Sequence, residues 1–204
     1  MVQLFIDGGG FMWPILFIFI IGFVFVGERL YHLVKGLQSD EDFANDVAET
    51  YQKSGVKVAQ DFCETSLGPV SNLCATALNK ASDGVDAAEK ALDQSGTIEM
   101  ASLEKNMTWI SLCIATAPML GFLGTVWGMI QAFNDIKMAN DISPAVVAGG
   151  ISVALLTTAF GLVVAVILQI LQNAVMYIID NQIVTLQKST TTLLDAISEK
   201  HHHA

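Results

Sequence analysis

The chain has 204 residues, 52% of them hydrophobic and only 15% charged, a balance too apolar for an ordinary soluble domain. Its formal charge of −10, from 20 acids against 10 bases, argues against nucleic acid as a partner. Cys63, Cys74 and Cys113 form no CxxC pair and no cluster with histidine, so zinc and disulfide readings lack support and small buried thiols are the simpler one. His201-His202-His203 has the character of a purification tag and carries no functional argument.

Residues 8–27 are uncharged and rich in Phe, Ile and Val, matching the ~20 residues that cross a hydrocarbon layer. This predicts a first membrane segment within residues 1–34. No Lys or Arg precedes it and no small-residue cleavage site follows, so it reads as a retained anchor. Trp13 near its start, and Tyr31 with His32 near its end, sit where interfacial side chains belong.

From 35 to 105 the composition turns polar. Ser39-Asp40-Glu41-Asp42 resembles a capping box, and Phe43, Val47 and Tyr51 recur at helical spacing. Gly55, Gly68-Pro69 and Asp83-Gly84 punctuate the region, while Val70, Leu73, Cys74, Ala77 and Leu78 give one apolar face. These patterns predict a small helical bundle. Its scattered acids read as a solvated face.

Two more uncharged runs follow, 106–134 and 142–179, each longer than the hydrocarbon core requires. They predict a hairpin over 106–179 with a short turn at about 134–143 and a tail over 180–204. Ser143 before Pro144 is a strong helix start, because Ser caps and Pro at the first helical position loses no needed bond. Of the bases, only Lys137 lies in that turn, whereas seven lie between the first and second segments. The positive-inside rule then puts the amino terminus and the turn outside, and the large loop and the carboxyl terminus in the cytoplasm.

In the second segment Ala117, Gly121, Gly124, Gly128 and Ala132 fall at helical steps and form a stripe that lets another helix approach closely, with Thr125 beside it. Pro118 predicts a kink. In the third, Ala154, Thr158, Gly161, Ala165, Gln169 and Gln172 share one face that turns from small and hydroxylated to amide-lined. That face suits the border of a polar passage, with Thr158 near mid-membrane and the glutamines at the inner mouth, and Thr125 of the second segment and Thr157 beside Thr158 add hydroxyls to the candidate path. The competing reading is that Thr157 and Thr158 bond back to carbonyls one turn earlier and the glutamines are merely solvated. Neither run contains Asp, Glu, Lys, Arg or His, so a proton path here needs a carboxylate from another chain.

At this point the residues resemble a known family. The motif Gly121-x-x-Gly124-Thr125-Val126-Trp127-Gly128, preceded by Ala117-Pro118, is similar to the second membrane helix of ExbB and TolQ. The stretch 154–161, with Thr158-Ala159-x-Gly161, is similar to their third, and MotA is a more distant likeness. The resemblance covers about 103–177. It implies an all-α, three-span subunit of a ring, a pentamer, in the bacterial inner membrane. The ring would surround a single-span partner of the ExbD, TolR or MotB type that carries the missing Asp, and a TonB- or TolA-like protein would receive the work. By the same resemblance Thr125 and Thr158 are pore-facing. The driving force is a proton gradient with no cofactor and no metal, although hydroxyls and carbonyls also suit Na⁺. This chain departs from the pattern at three places: Val153 stands where Glu is usual, Ile167 where Pro is common, and Thr157 where Ala is familiar. Two other classes compete with a proton-driven motor. One is a passive oligomeric scaffold in the bilayer. The other is a solute transporter, weakened by the lack of an inverted repeat.

Overall fold

The computed structural model describes residues 2–36, 42–66, 68–139 and 144–202. Among them there is no strand. The order is α1 (Val2–Asp7), α2 (Met12–Gly36), α3 (Phe43–Ser54), α4 (Val56–Glu64), α5 (Pro69–Lys80), a 3-10 turn (Ala81–Asp83), α6 (Val85–Leu103), α7 (Met107–Ala139) and α8 (Pro144–His202). Three stretches are long and apolar enough to span a bilayer, Met12–Val34 and the apolar parts of Val85–Met138 and Val147–Lys200.

The chain divides into two compact units, Met1–Glu28 with Asn106–Val175, and Arg29–Lys105 with Met176–Ala204. In the first, α2 packs its Ile15 face on Cys113 and Ala117 of α7 and Val164 and Leu168 of α8. Gly22 permits this approach, since a Cβ there would lie 2.7 Å from Leu168 Cδ1. At the start of α7, Asn106 adopts a left-handed φ of 66° and its amide donates to both Glu28 carboxylate oxygens, at 3.2 and 3.1 Å.

Two expected boundaries shift in this unit. The uncharged run 8–27 is not one helix: Gly8-Gly9-Gly10 ends α1, with Gly9 at φ 74°, and the long helix starts at Met12. Of the stretch 134–143 expected as a turn, residues 134–139 are helical, because α7 continues through Asn134 to Ala139. Polar residues there extend the helix, and the charge of Lys137 in its last turn complements the carbonyl end. Ser143 lies outside the described residues.

The second unit is a helical bundle that includes the carboxyl-terminal part of α8 beside the region 35–105, whereas the sequence pattern set 180–204 apart as a tail. Its core joins Val47 and Tyr51 of α3, Cys63 of α4, Leu73, Cys74 and Ala77 of α5, Leu92 of α6, and Leu186, Leu193 and Ile197 of α8. Breaks fall at the glycines: Gly55 (φ 89°) separates α3 from α4 and Gly84 (φ 114°) precedes α6. Pro69 opens α5 behind Gly68, whose N–H donates to Ser71 Oγ at 3.2 Å. Ser39, Asp40 and Glu41 lie outside the described residues, and Asp42 makes no side-chain cap to α3.

Long-range polar contacts close the helix ends of this bundle. The Arg29 guanidinium, nearly buried, donates to the Ser102 and Leu103 carbonyls at 2.8 and 2.7 Å, at the end of α6. Lys200 Nζ donates to the Tyr51 carbonyl at 2.5 Å and stands 4.4 Å over the Tyr51 ring. Cys63 and Cys74 are both buried. The adjacent Cys63 sulfur and burial push the Cys74 thiol far above its ordinary value, so it stays protonated at neutral pH. Cys74 should therefore resist iodoacetamide in the folded protein. Leu73→Ala, which empties a fully buried site at a cost of about 2–5 kcal/mol, should make Cys74 reactive at lower urea. Alkylation followed by mass analysis across a urea series checks both.

Candidate functional site

The site expected on α7 and α8 is built around a seam where two backbones nearly touch. A Cβ on Gly161 would stand 2.6 Å from the Ala117 carbonyl oxygen, and one on Gly121 would stand 2.9 Å from the Thr157 carbonyl oxygen. At Gly124 it would meet the Thr157 hydroxyl at 2.6 Å, and at Gly128 the Ala154 nitrogen at 3.2 Å. Gly150 faces Ala132 in the same way. The pairings run in opposite directions along the two helices, so α7 and α8 form an antiparallel hairpin. Small residues are required along it because any larger side chain would hold the backbones apart.

This geometry places each expected site residue. Ala117, Gly121, Gly124 and Gly128 on α7 and Ala154 and Gly161 on α8 lie in the seam, and Ala165 is buried. Pro118 lies inside α7, which stays helical across it. Thr157, 1% exposed, is in the middle of the seam, and its hydroxyl donates to the Ala154 carbonyl at 2.8 Å. Thr158, one residue on, is half-buried at the seam's edge. Its hydroxyl does not bond back along α8 but crosses to the Gly121 carbonyl at 3.2 Å. Thr125, also half-buried, donates to the Phe122 carbonyl at 2.6 Å. The two threonines thus give their only hydroxyl protons to consecutive carbonyls of α7. What their oxygens have left to offer is lone pairs, which suits a protonated acid, a water proton or a cation.

Toward the other end of the hairpin the groups are amides. Gln172 Nε2 donates to Ser111 Oγ at 2.6 Å, and Gln169 Nε2 donates to Asn173 Oδ1 at 3.2 Å. Sequence reasoning missed Ser111 and Gly150. The signal for Ser111 was its position on the Thr125 face of α7, since 111, 115, 118, 122 and 125 fall at steps of four and three. Gly150 precedes Ala154 by one turn and extends the same stripe.

Val153 borders a cavity of about 350 Å³ with Gly9, Phe11, Pro14 and Trp127. Its Cγ1 lies 3.4 Å from where a Gly9 Cβ would be. No ionisable group lines this cavity. Among the described residues no three His, Cys, Asp or Glu side chains group as metal ligands.

Together the three apolar spans define a multi-pass membrane protein, and the side-chain hydrogen bonds that cross between α7 and α8 are made by hydroxyls and an amide. Residues 65–188 match the model of the MotA/TolQ/ExbB proton channel family, and the chain belongs to that family. The match is wider at both ends than the stretch 103–177 that carried the resemblance. Among relatives, an ExbB homologue from Methanothermobacter thermautotrophicus, described as a biopolymer transport protein, is 32% identical over 89% of this chain and 65% of its own length. The biopolymer transport protein ExbB of Xanthomonas campestris is 42% identical over 38% of this chain and 31% of its own. An ExbB-like protein of Synechocystis is 27% identical over 79% of this chain and 65% of its own. The chain therefore spans less than two thirds of the length of these relatives.

The seam predicts a sharp contrast between two glycines of α8. Gly161→Ala puts a methyl against the Ala117 carbonyl and should destabilise the folded protein by about 1–3 kcal/mol. Gly149→Ala meets nothing within 4 Å and should leave stability unchanged or raise it. Thermal unfolding of the two variants in detergent checks this.

Proposed function

We propose that the chain is the proton-channel subunit of a membrane motor, one that couples the proton-motive force to mechanical work on the cell envelope. The observation that carries this reading is the pair Thr125 and Thr158, whose hydroxyls bond adjacent carbonyls of α7 at the edge of a hairpin without charge. The glycine stripe does not carry it. Packing within the hairpin already accounts for the stripe, and a passive scaffold would need it equally.

Neither hairpin helix has Asp, Glu, Lys, Arg or His between 107 and 134 or between 144 and 179, so the chain supplies no carboxylate of its own there. The carboxylate comes from a partner, a single-span protein of the ExbD, TolR or MotB type with a membrane Asp. Several copies of this chain, five by the resemblance, surround it. Facing the threonines, the protonated partner acid donates to a hydroxyl oxygen, and after it discharges, the hydroxyls can turn from the carbonyls to donate to the carboxylate. The release side is lined by Gln169 and Gln172. Thr157, inside the seam, holds the two helices in register rather than meeting the partner.

The chain is read as a channel subunit and not as an enzyme, in an inner membrane with the amino terminus outside and the bundle in the cytoplasm. That the relatives are described as biopolymer transport proteins favours a TonB-type transport system as the recipient of the work, ahead of Tol-type envelope maintenance or motility. The threonine oxygens suit H⁺ delivered by an acid. Their chemistry also suits Na⁺, which a change of driving ion would reveal.

Thr158→Val keeps the volume and removes the hydrogen-bonding group. Loss of one such group inside the path costs about 1–3 kcal/mol, so proton flux through the assembled complex in liposomes should fall roughly tenfold or more while assembly persists. Undiminished flux in that variant would remove Thr158 from the mechanism. Full function in cells with a collapsed proton gradient would favour the scaffold.

A further inference from the structure

We infer that Ser111, hydrogen-bonded to Gln172, forms the release end of the proton path, as a neutral pair that orders water without holding a proton. The inference rests on the proton-channel reading above and adds to it a residue on α7.

Gln172 Nε2 donates to Ser111 Oγ across the hairpin at 2.6 Å. That bond uses one of the serine's two lone pairs and one of the amide's two protons. Still available are the serine proton, a donor, and the amide oxygen, an acceptor. A pair presenting one donor and one acceptor side by side can bind a water in a single orientation and pass a hydrogen-bonded file through it. A proton arriving on the free lone pair of Ser111 Oγ is balanced by release of the serine's own proton to the next water. The hydroxyl ends as it began. Neither group titrates near neutral pH, so no proton is retained there.

Position supports this assignment. Ser111 and Thr125 lie on one face of α7, and Thr158 and Gln172 are separated along α8 by the same number of residues. Between Ser111 and Thr125 that face carries exposed Ala115, half-buried Pro118 and, next to the threonine, Phe122. Ala115 and Pro118 leave room for water. The Gln169–Asn173 pair at 3.2 Å sits alongside and has the same amide chemistry. Thr116 offers the contrast: it lies off this face of α7, about 140° around the helix from Ser111, and its hydroxyl donates to the Leu112 carbonyl at 2.6 Å.

The test is gradient-driven proton flux in liposomes holding the complex of this chain with its acid-bearing single-span partner, with subunit composition checked for each variant. Ser111→Ala should lower flux roughly three- to tenfold, the effect expected for one hydrogen bond in series with others. Ser111→Thr, which restores the hydroxyl, should recover it, and Thr116→Val should conduct as the unaltered complex does. Gln172→Glu should make flux depend on the inside pH at about 4–5, the ordinary carboxyl range, because a titrating group then stands at the exit. A merely structural role for the pair would produce no such pH dependence. If Ser111→Ala conducts normally while Thr158→Val does not, the Ser111 assignment falls and the channel reading stands. If the unaltered complex carries no gradient-dependent flux, both fall together.

Discussion

Everything in the membrane-spanning unit depends on how closely the backbones of α7 and α8 approach. With Gly161 over the Ala117 carbonyl and Gly121 over the Thr157 carbonyl, the two helices are fixed in both register and rotation. Apolar side chains gain little by leaving lipid for protein, so a membrane hairpin is held by contact area and by hydrogen bonds such as that from Thr158 to Gly121. The rotation sorts the two adjacent hydroxyls. It buries Thr157 between the helices and leaves Thr158 at the edge, where its oxygen can meet something outside the subunit.

The chemistry follows from what the hairpin lacks. Without Asp, Glu, Lys, Arg or His along the apolar runs of the hairpin, the proposed path holds no buried charge at rest. On the proposed reading, hydroxyl and amide groups supply direction instead, through which of them donates and which accepts. At the threonines the protons are turned toward backbone carbonyls, so the outward oxygens accept. Beside Val153, where relatives of the ExbB and TolQ type were expected to carry Glu, the cavity walls are uncharged. On the proposed reading, the titrating carboxylate within the membrane comes from the partner.

Much of the fold was legible in the sequence. Three long apolar runs gave the three spans, and the spacing of Val47, Tyr51, Leu73, Cys74 and Ala77 gave the faces that fill the bundle core. Composition misplaced the start of the first span because Gly8-Gly9-Gly10 is uncharged yet breaks the helix, a matter of backbone conformation and not of hydropathy. It also ended α7 early, since Asn134, Asp135 and Lys137 leave the apolar phase without breaking the helix. The site was legible as a list of residues but not as a geometry. Thr157 and Thr158 differ by about 100° around the helix, and periodicity alone could not say which faces α7. The bond from Thr158 to Gly121, and that from Gln172 to Ser111, join residues far apart in sequence and follow from the register of the hairpin. The Arg29 and Lys200 contacts that close the ends of α6 and α3 were hidden for the same reason.

The central claim is that several copies of this chain surround a partner that supplies the missing acid. Native mass spectrometry, on the protein purified alone and then together with a single-span, Asp-bearing protein, tests it most directly. The account predicts a closed ring of this chain, with fewer copies of the partner held inside. A monomer or a symmetric dimer that takes up no such partner would contradict it.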